Sequence, residues 1–186
     1  MAESRELTVD QAIAALTAPL QAVAEVEEVL LDAAAGRVLA ADIASTIDLP
    51  AFDNSAMDGY ALRHADLAAG ALREVGQSYA GHGYDGAVTA GSCVRIMTGA
   101  PIPAGADTVV VLEDIDRSDG TVRVQQAPPP GANIRRRGEH IARGDVALRA
   151  GAVLDDAAIG LAASVGCARL PVRRRLRVAL LSTGDE

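Results

Sequence analysis

The spacing of apolar residues changes character three times along the chain, and each change predicts a different kind of element. Near the start, Val9, Ala12, Ile13 and Leu16 recur at helical intervals, and Thr8 followed by Gln11 has the spacing of a capping box. A first helix is therefore predicted from Val9 to Ala18, ahead of Pro19. Glu25 to Leu31, rich in Val and Leu, reads as a strand, and Ile43 to Ile47 as an extended piece. Ala33 to Ala41 has helical composition apart from Gly36, whose backbone freedom weakens a helix.

From Asp48 to Gly138 the texture shifts to short β-branched runs separated by Gly, Pro, Asp and Ser clusters, the pattern of small antiparallel strands. Val109 to Leu112 and Thr121 to Val124 are two such runs. Ser118-Asp119-Gly120 carries an Asp-Gly pair of the kind that supplies positive φ in a tight hairpin. Pro128-Pro129-Pro130-Gly131 then interrupts any ladder, because proline cannot donate. Beyond it, Asp155 to Val165 reads as a helix with Asp155 as its cap and Gly166 as its stop. Leu170 to Val172 is a short extended piece. Leu176 to Leu181, apolar except for Arg177, resembles a strand buried on both faces of a parallel sheet. Such a strand needs neighbours and covering helices, so the chain is expected to be the front part of a longer protein.

The fold class expected from these elements is mixed α and β, mainly β. With one Phe, three Tyr and no Trp, the core must be aliphatic, and base stacking on aromatic rings is excluded as a main device. A formal net charge of −8 repels polyanions, so nucleic acid is a poor partner. All 17 basic residues are Arg, which fits either genomic base composition or a need for guanidinium forks toward oxyanions. Cys93 and Cys167 stand far apart without companions at metal-ligand spacing, which suits a reducing compartment. An acidic amino-terminal stretch and the lack of a long apolar run predict a cytoplasmic protein with no membrane partner.

Four segments carry candidate chemistry. Asp53-Asn54-Ser55-Ala56-Met57-Asp58-Gly59-Tyr60 gathers two acids, an amide and a hydroxyl, with Gly59 expected to permit a turn that presents Asp58; the stretch suits an oxygen-rich site or an Asx-turn on its own backbone. Arg95-Ile96-Met97-Thr98-Gly99 ends a strand at a hydroxyl and a glycine, either a simple turn or a place where amides face an anion. Arg135-Arg136-Arg137 offers guanidinium groups for a tetrahedral oxyanion or for pairing with the surplus of acids. Ser182-Thr183-Gly184-Asp185-Glu186 lies just past the last apolar run, where ligands bind in open α/β sheets.

In order and spacing, Pro50 to Ala61, Arg95 to Pro103, Asn133 to Glu139 and Arg177 to Glu186 resemble the MoeA and gephyrin E-domain family. The resemblance implies an elongated fold with a discontinuous linker and dimerisation domain (1–47 and 139–175), an inserted β-rich module (48–138) and the first strand of a truncated α/β molybdopterin-binding domain (176–186). It implies a homodimer that inserts molybdenum from molybdate into adenylylated molybdopterin with release of AMP, assisted by Mg²⁺. Asp58, Thr98 and Glu186 then match catalytic positions, Glu186 also a metal contact, while Ser55, Arg135, Arg136, Arg137 and Asp185 fit substrate binding. The implied alternative is a non-catalytic scaffold of the gephyrin type. One departure stands out: the family's Arg-Gly-Glu-Asp is here Arg137-Gly138-Glu139-His140. An imidazole cannot replace a carboxylate toward a hard cation, so His140 is not expected to serve a metal, and either Glu139 substitutes or the role is dispensable.

Overall fold

The computed structural model describes residues 7–180. It is mainly β, with two α-helices, as the sequence predicts. α1 (Val9–Thr17) is closed by the anticipated capping box, Thr8 and Gln11 each bonding the other's backbone N–H. No residue of α1 is buried, and its apolar side chains Val9, Ile13 and Leu16 face solvent. β1 (Val26–Leu30) follows, then β2 (Ile43–Ala44), shorter than the extended stretch expected there.

The predicted helix over Ala33 to Ala41 does not form. A 3-10 turn covers Leu31–Ala33, and Gly36 adopts a φ of +69° that right-handed helix cannot contain. Beyond it the chain runs extended, with Leu39 N–H donating to Ala152 O and Leu154 N–H to Arg37 O at 2.8 Å each. Pairing with a distant segment outweighs the modest helix propensity of its alanines.

The central element is a six-stranded sheet in the order β7-β4-β6-β5-β9-β8. Its strands are β4 (Gly59–Leu62), β5 (Ala71–Ser78), β6 (Ser92–Ile96), β7 (Thr108–Val111), β8 (Ile115–Ser118) and β9 (Thr121–Val124), with β3 (Asn54–Ser55) just before it. Every pairing is antiparallel except β5 with β6. The β8–β9 hairpin turns on Asp119 and Gly120 with φ of +48° and +76°, the two left-handed residues that a type I′ turn requires. One face of the sheet buries Tyr60, Leu62, Leu72, Cys93, Val110 and Val122; the other buries Ala61, Ile96, Ala100 and Val109.

A second core gathers Leu39, Ile43, Leu154, Ala162, Val165, Leu170 and Val172 from both ends of the described chain. Its frame is β11 (Val146–Leu148) on β2, α2 (Asp156–Ser164), and β12 (Arg169–Arg173) antiparallel to β1, whereas β10 (Ile134–Arg135) pairs with β3 and packs Ile134 on the sheet cluster of Ala61, Ile96, Ala100 and Val109. α2 carries its predicted cap, the Asp155 carboxylate accepting from Ala158 N–H at 2.8 Å. The strand expected from Leu176 onward is absent among the described residues: 174–180 have no strand partner, and Leu176, Val178 and Leu180 are 74, 76 and 91% exposed. Leu181, the last residue of that expected strand, lies outside the described residues.

Candidate functional site

Asp58 ends the loop that follows β3, and Thr98 lies two residues past the end of β6, forty positions later. The antiparallel register of β4 on β6 sets Gly59 against Ile96, so the residues just outside this pair, Asp58 and Met97, lie at the same edge. Thr98 then gives both its backbone N–H and its hydroxyl to Asp58 Oδ1, each at 2.7 Å. Asp58 is therefore a long-range acceptor and not the cap of its own turn. The Thr98 N–H first, then the Thr98 hydroxyl and the charge of Arg95, hold its carboxyl below the usual aspartate range. Both residues are exposed.

Gly59 serves a purpose other than the expected turn. It lies within β4, and a Cβ there would sit 1.9 Å from Val110 O and 2.8 Å from its carbonyl carbon. The glycine lets β7 approach, which fixes the height of the edge from which Asp58 projects.

Ser55 is fully buried. Its hydroxyl donates to Met57 O at 2.6 Å and accepts from Met57 N–H, and its backbone joins three segments. Ser55 N–H donates to Ala100 O, Gly99 N–H donates to Ser55 O, and Ile134 lies opposite it in β10. The hydroxyl is thus occupied in shaping the turn that carries Asp58.

The arginine segment is brought beside the same loop by β10. Arg136 Nη1 meets Asp53 Oδ2 at 2.6 Å, and Arg137 N–H donates to Asp53 Oδ1 at 2.8 Å. Arg137 Nε meets Asp48 Oδ2 at 2.6 Å, and Arg143 N–H donates to the other oxygen. Backbone amides first and guanidinium groups second lower the carboxyls of Asp53 and Asp48. Arg136 and Arg137 therefore already pair with acids, whereas Arg135, half-buried in β10, has no ion pair among the described residues. Glu139 accepts from Arg136 N–H at 2.6 Å, and the His140 ring lies 3.9 Å from Glu139. Asp185 and Glu186 lie outside the described residues.

Sequence reasoning missed Arg95, the one charged residue in the otherwise apolar run Cys93 to Ile96. Its guanidinium carbon stands 5.9 Å from the centroid of the Tyr60 ring. A charge at an inward-alternating strand position was the available signal. Among the described residues no three His, Cys, Asp or Glu side chains cluster closely enough to enclose a metal. A single carboxylate such as Asp58, with Oδ2 unengaged among the described residues, is nonetheless the kind of hard ligand that Mg²⁺ takes alongside water and phosphate. Burial pushes the Cys93 thiol up to about 12, which leaves it inert as a nucleophile. No helix among the described residues is long and apolar enough to cross a membrane.

Comparison with known proteins places the chain in a family. Residues 7–166 match the family described as MoeA N-terminal region (domain I and II). The chain is 44% identical over 182 residues to the molybdopterin molybdenumtransferase of Haemophilus influenzae, covering 97% of this chain and 45% of that protein. It is 41% identical over 162 residues to molybdopterin molybdenumtransferase 2 of Mycobacterium tuberculosis, covering 84% of this chain and 40% of that one. A crystal structure of the molybdopterin biosynthesis MoeA protein from Pyrococcus horikoshii superposes with a TM-score of 0.81 at 32% identity, over 88% of this chain and 45% of that one. The chain thus spans somewhat under half the length of these relatives.

Proposed function

From the premise that this chain belongs to the MoeA N-terminal family, we propose that it forms part of a transferase of molybdenum cofactor biosynthesis. The reaction proposed is insertion of molybdenum from molybdate into adenylylated molybdopterin. The dithiolene sulfurs replace oxide on molybdate, the oxide leaving as water with protons taken up, and molybdenum stays hexavalent. The phosphoanhydride P–O bond is cleaved with the elements of water added across it, and AMP leaves.

The observation that carries this reading is the Asp58–Thr98 contact, a carboxylate held ionised at an exposed sheet edge by two donors from one residue. Asp58 keeps a free oxygen to accept a proton or to hold a cation against substrate phosphates, and Thr98 fixes its direction. Mg²⁺ held by Asp58 would neutralise charge on the phosphoanhydride. Arg135 is the member of the arginine segment left to meet an oxyanion; Arg136 and Arg137 fix the Asp53 loop. Ser55 acts through the backbone of that loop. Asp185 and Glu186 complete the proposal as substrate and metal contacts on the resemblance alone, and His140 is given no metal role.

Because the chain covers 45% of the Haemophilus relative, we assign activity to the longer protein and expect residues 1–186 alone to release no AMP. A homodimer and a cytoplasmic location belong to the same proposal. The exposed apolar side of α1 supports association, and equally the alternative that the architecture serves as a scaffold.

Full-length protein incubated with adenylylated molybdopterin and molybdate tests the reading by AMP release. Asp58→Asn and Thr98→Ala should each slow release about 100-fold while leaving the melting temperature near that of the parent. AMP release at the parental rate by both variants would refute the assignment.

A further inference from the structure

A second polar group shares the sheet face of Asp58 and is not absorbed by the roles above. β6 sets Arg95 opposite Tyr60 of β4 on one side and Gln77 of β5 on the other. The register of β5 shifts between Glu74 and Gly76, so Glu74 and Gln77, three residues apart, both project from this face. Strict alternation would have separated them. Gly76 on the opposite side leaves room for the Tyr84 ring, 2.3 Å from where a Cβ would stand, which keeps the bulge in place.

The charges on this face are matched one by one until Arg95 is reached. The Tyr60 hydroxyl donates to Glu74 Oε2 at 3.1 Å, and Arg117 Nε meets the same oxygen at 2.9 Å. Asp58 Oδ1 is taken by Thr98. Arg95, half-buried with its guanidinium carbon 5.9 Å from the Tyr60 ring centroid, bonds the Tyr60 hydroxyl and sends its charge toward Asp58, but has no carboxylate in ion-pair contact among the described residues. A guanidinium carries five N–H donors, so a contact with Tyr60 leaves others for bidentate contact with a tetrahedral oxyanion. The Gln77 side chain accepts from the Tyr79 hydroxyl through its oxygen, and its amide nitrogen has no partner among the described residues.

We propose that Arg95 is a binding residue of the Asp58–Thr98 site and takes a tetrahedral oxyanion, phosphate or molybdate, with the Gln77 amide as a neighbouring donor. The identity of the physiological oxyanion rests on the function proposed above; the binding itself does not.

The test is a titration of this chain with inorganic phosphate and, separately, with molybdate, at constant ionic strength set by chloride, reading the arginine Nε–Hε resonances. A saturable shift at Arg95 is expected with one or both anions, and Arg95→Gln should weaken binding about tenfold or more. Saturation by phosphate alone assigns the subsite to the nucleotide phosphate; saturation by molybdate alone assigns it to the metal oxyanion. Arg95→Lys, which keeps charge and bulk but loses the fork, should fall between the two and guards against a folding defect in the glutamine variant. No saturable shift in the parent overturns the proposal. So does undiminished binding by Arg95→Gln, or an effect of that variant confined to the titration of Asp58, which would make Arg95 only its counter-charge. AMP release by full-length protein separates the two readings: a normal rate with Arg95→Gln sinks this inference and spares the insertase, whereas oxyanion binding at Arg95 in a protein that never releases AMP does the reverse.

Discussion

Protonating Asp58 would leave two Thr98 donors with a poorer acceptor, and the same holds for Asp53 and Asp48 against their amides and guanidinium groups. All three carboxyls titrate below the ordinary value of about 3.9 in the folded chain. A folded pKa below the unfolded one adds stability that is complete above the unfolded value and disappears as pH falls through the folded one. The urea midpoint should therefore stay level from about pH 7 to pH 5 and decline below about pH 4, with a shallower decline in Asp58→Asn; identical acid slopes would contradict this. Gly59→Ala should cost roughly 3 kcal/mol or more, because backbone of β7 has to move to admit the methyl, and urea unfolding would show it. At this scale the sequence displayed Asp58 and Thr98 as separate motifs but not their contact, which depends on a strand register that neither motif encodes. It misassigned Gly59 because a glycine that spares a neighbouring carbonyl looks the same as one that turns the chain. The pairing of Arg136 and Arg137 with Asp53 and Asp48 was one of two open outcomes, since nothing local says which acid returns to meet them.

Elements stabilised by their own neighbours in sequence were the legible ones. The Thr8–Gln11 box, the Asp155 cap and the Asp119–Gly120 hairpin each satisfy backbone groups within a few residues, and each was readable. Replacing Asp155 by Ala should destabilise the chain by about 1 kcal/mol, with Asp155→Asn close to neutral because its side-chain oxygen still accepts from Ala158 N–H. Equal losses in both variants, measured by chemical denaturation, would show that the cap bond contributes little. The segment from Ala33 to Ala41 was misread because its partners, Ala152 and Leu154, are remote. Leu176 to Leu181 was read as a strand that needs neighbouring strands to form, and residues 176–180 meet none among the described residues.

At the scale of the molecule, the chain leaves the second core to build the sheet and returns to finish what it began, with β12 closing on β1. That closure has a direction. Val26 lies opposite Arg173 and Leu30 opposite Arg169, so both chain exits leave from the same end of the pair. Tension applied through Leu20 and Arg175 would load one rung at a time and peel the strands like a zipper, whereas handles at Leu30 and Arg173 would drag the whole ladder in shear. Single-molecule pulling should accordingly open the first geometry at a clearly lower force than the second; equal forces would show that the clasp is not what yields. A load entering beyond Arg175 meets this pair at its unzipping end, and such a tug is expected to part the clasp while the six-stranded sheet stays whole.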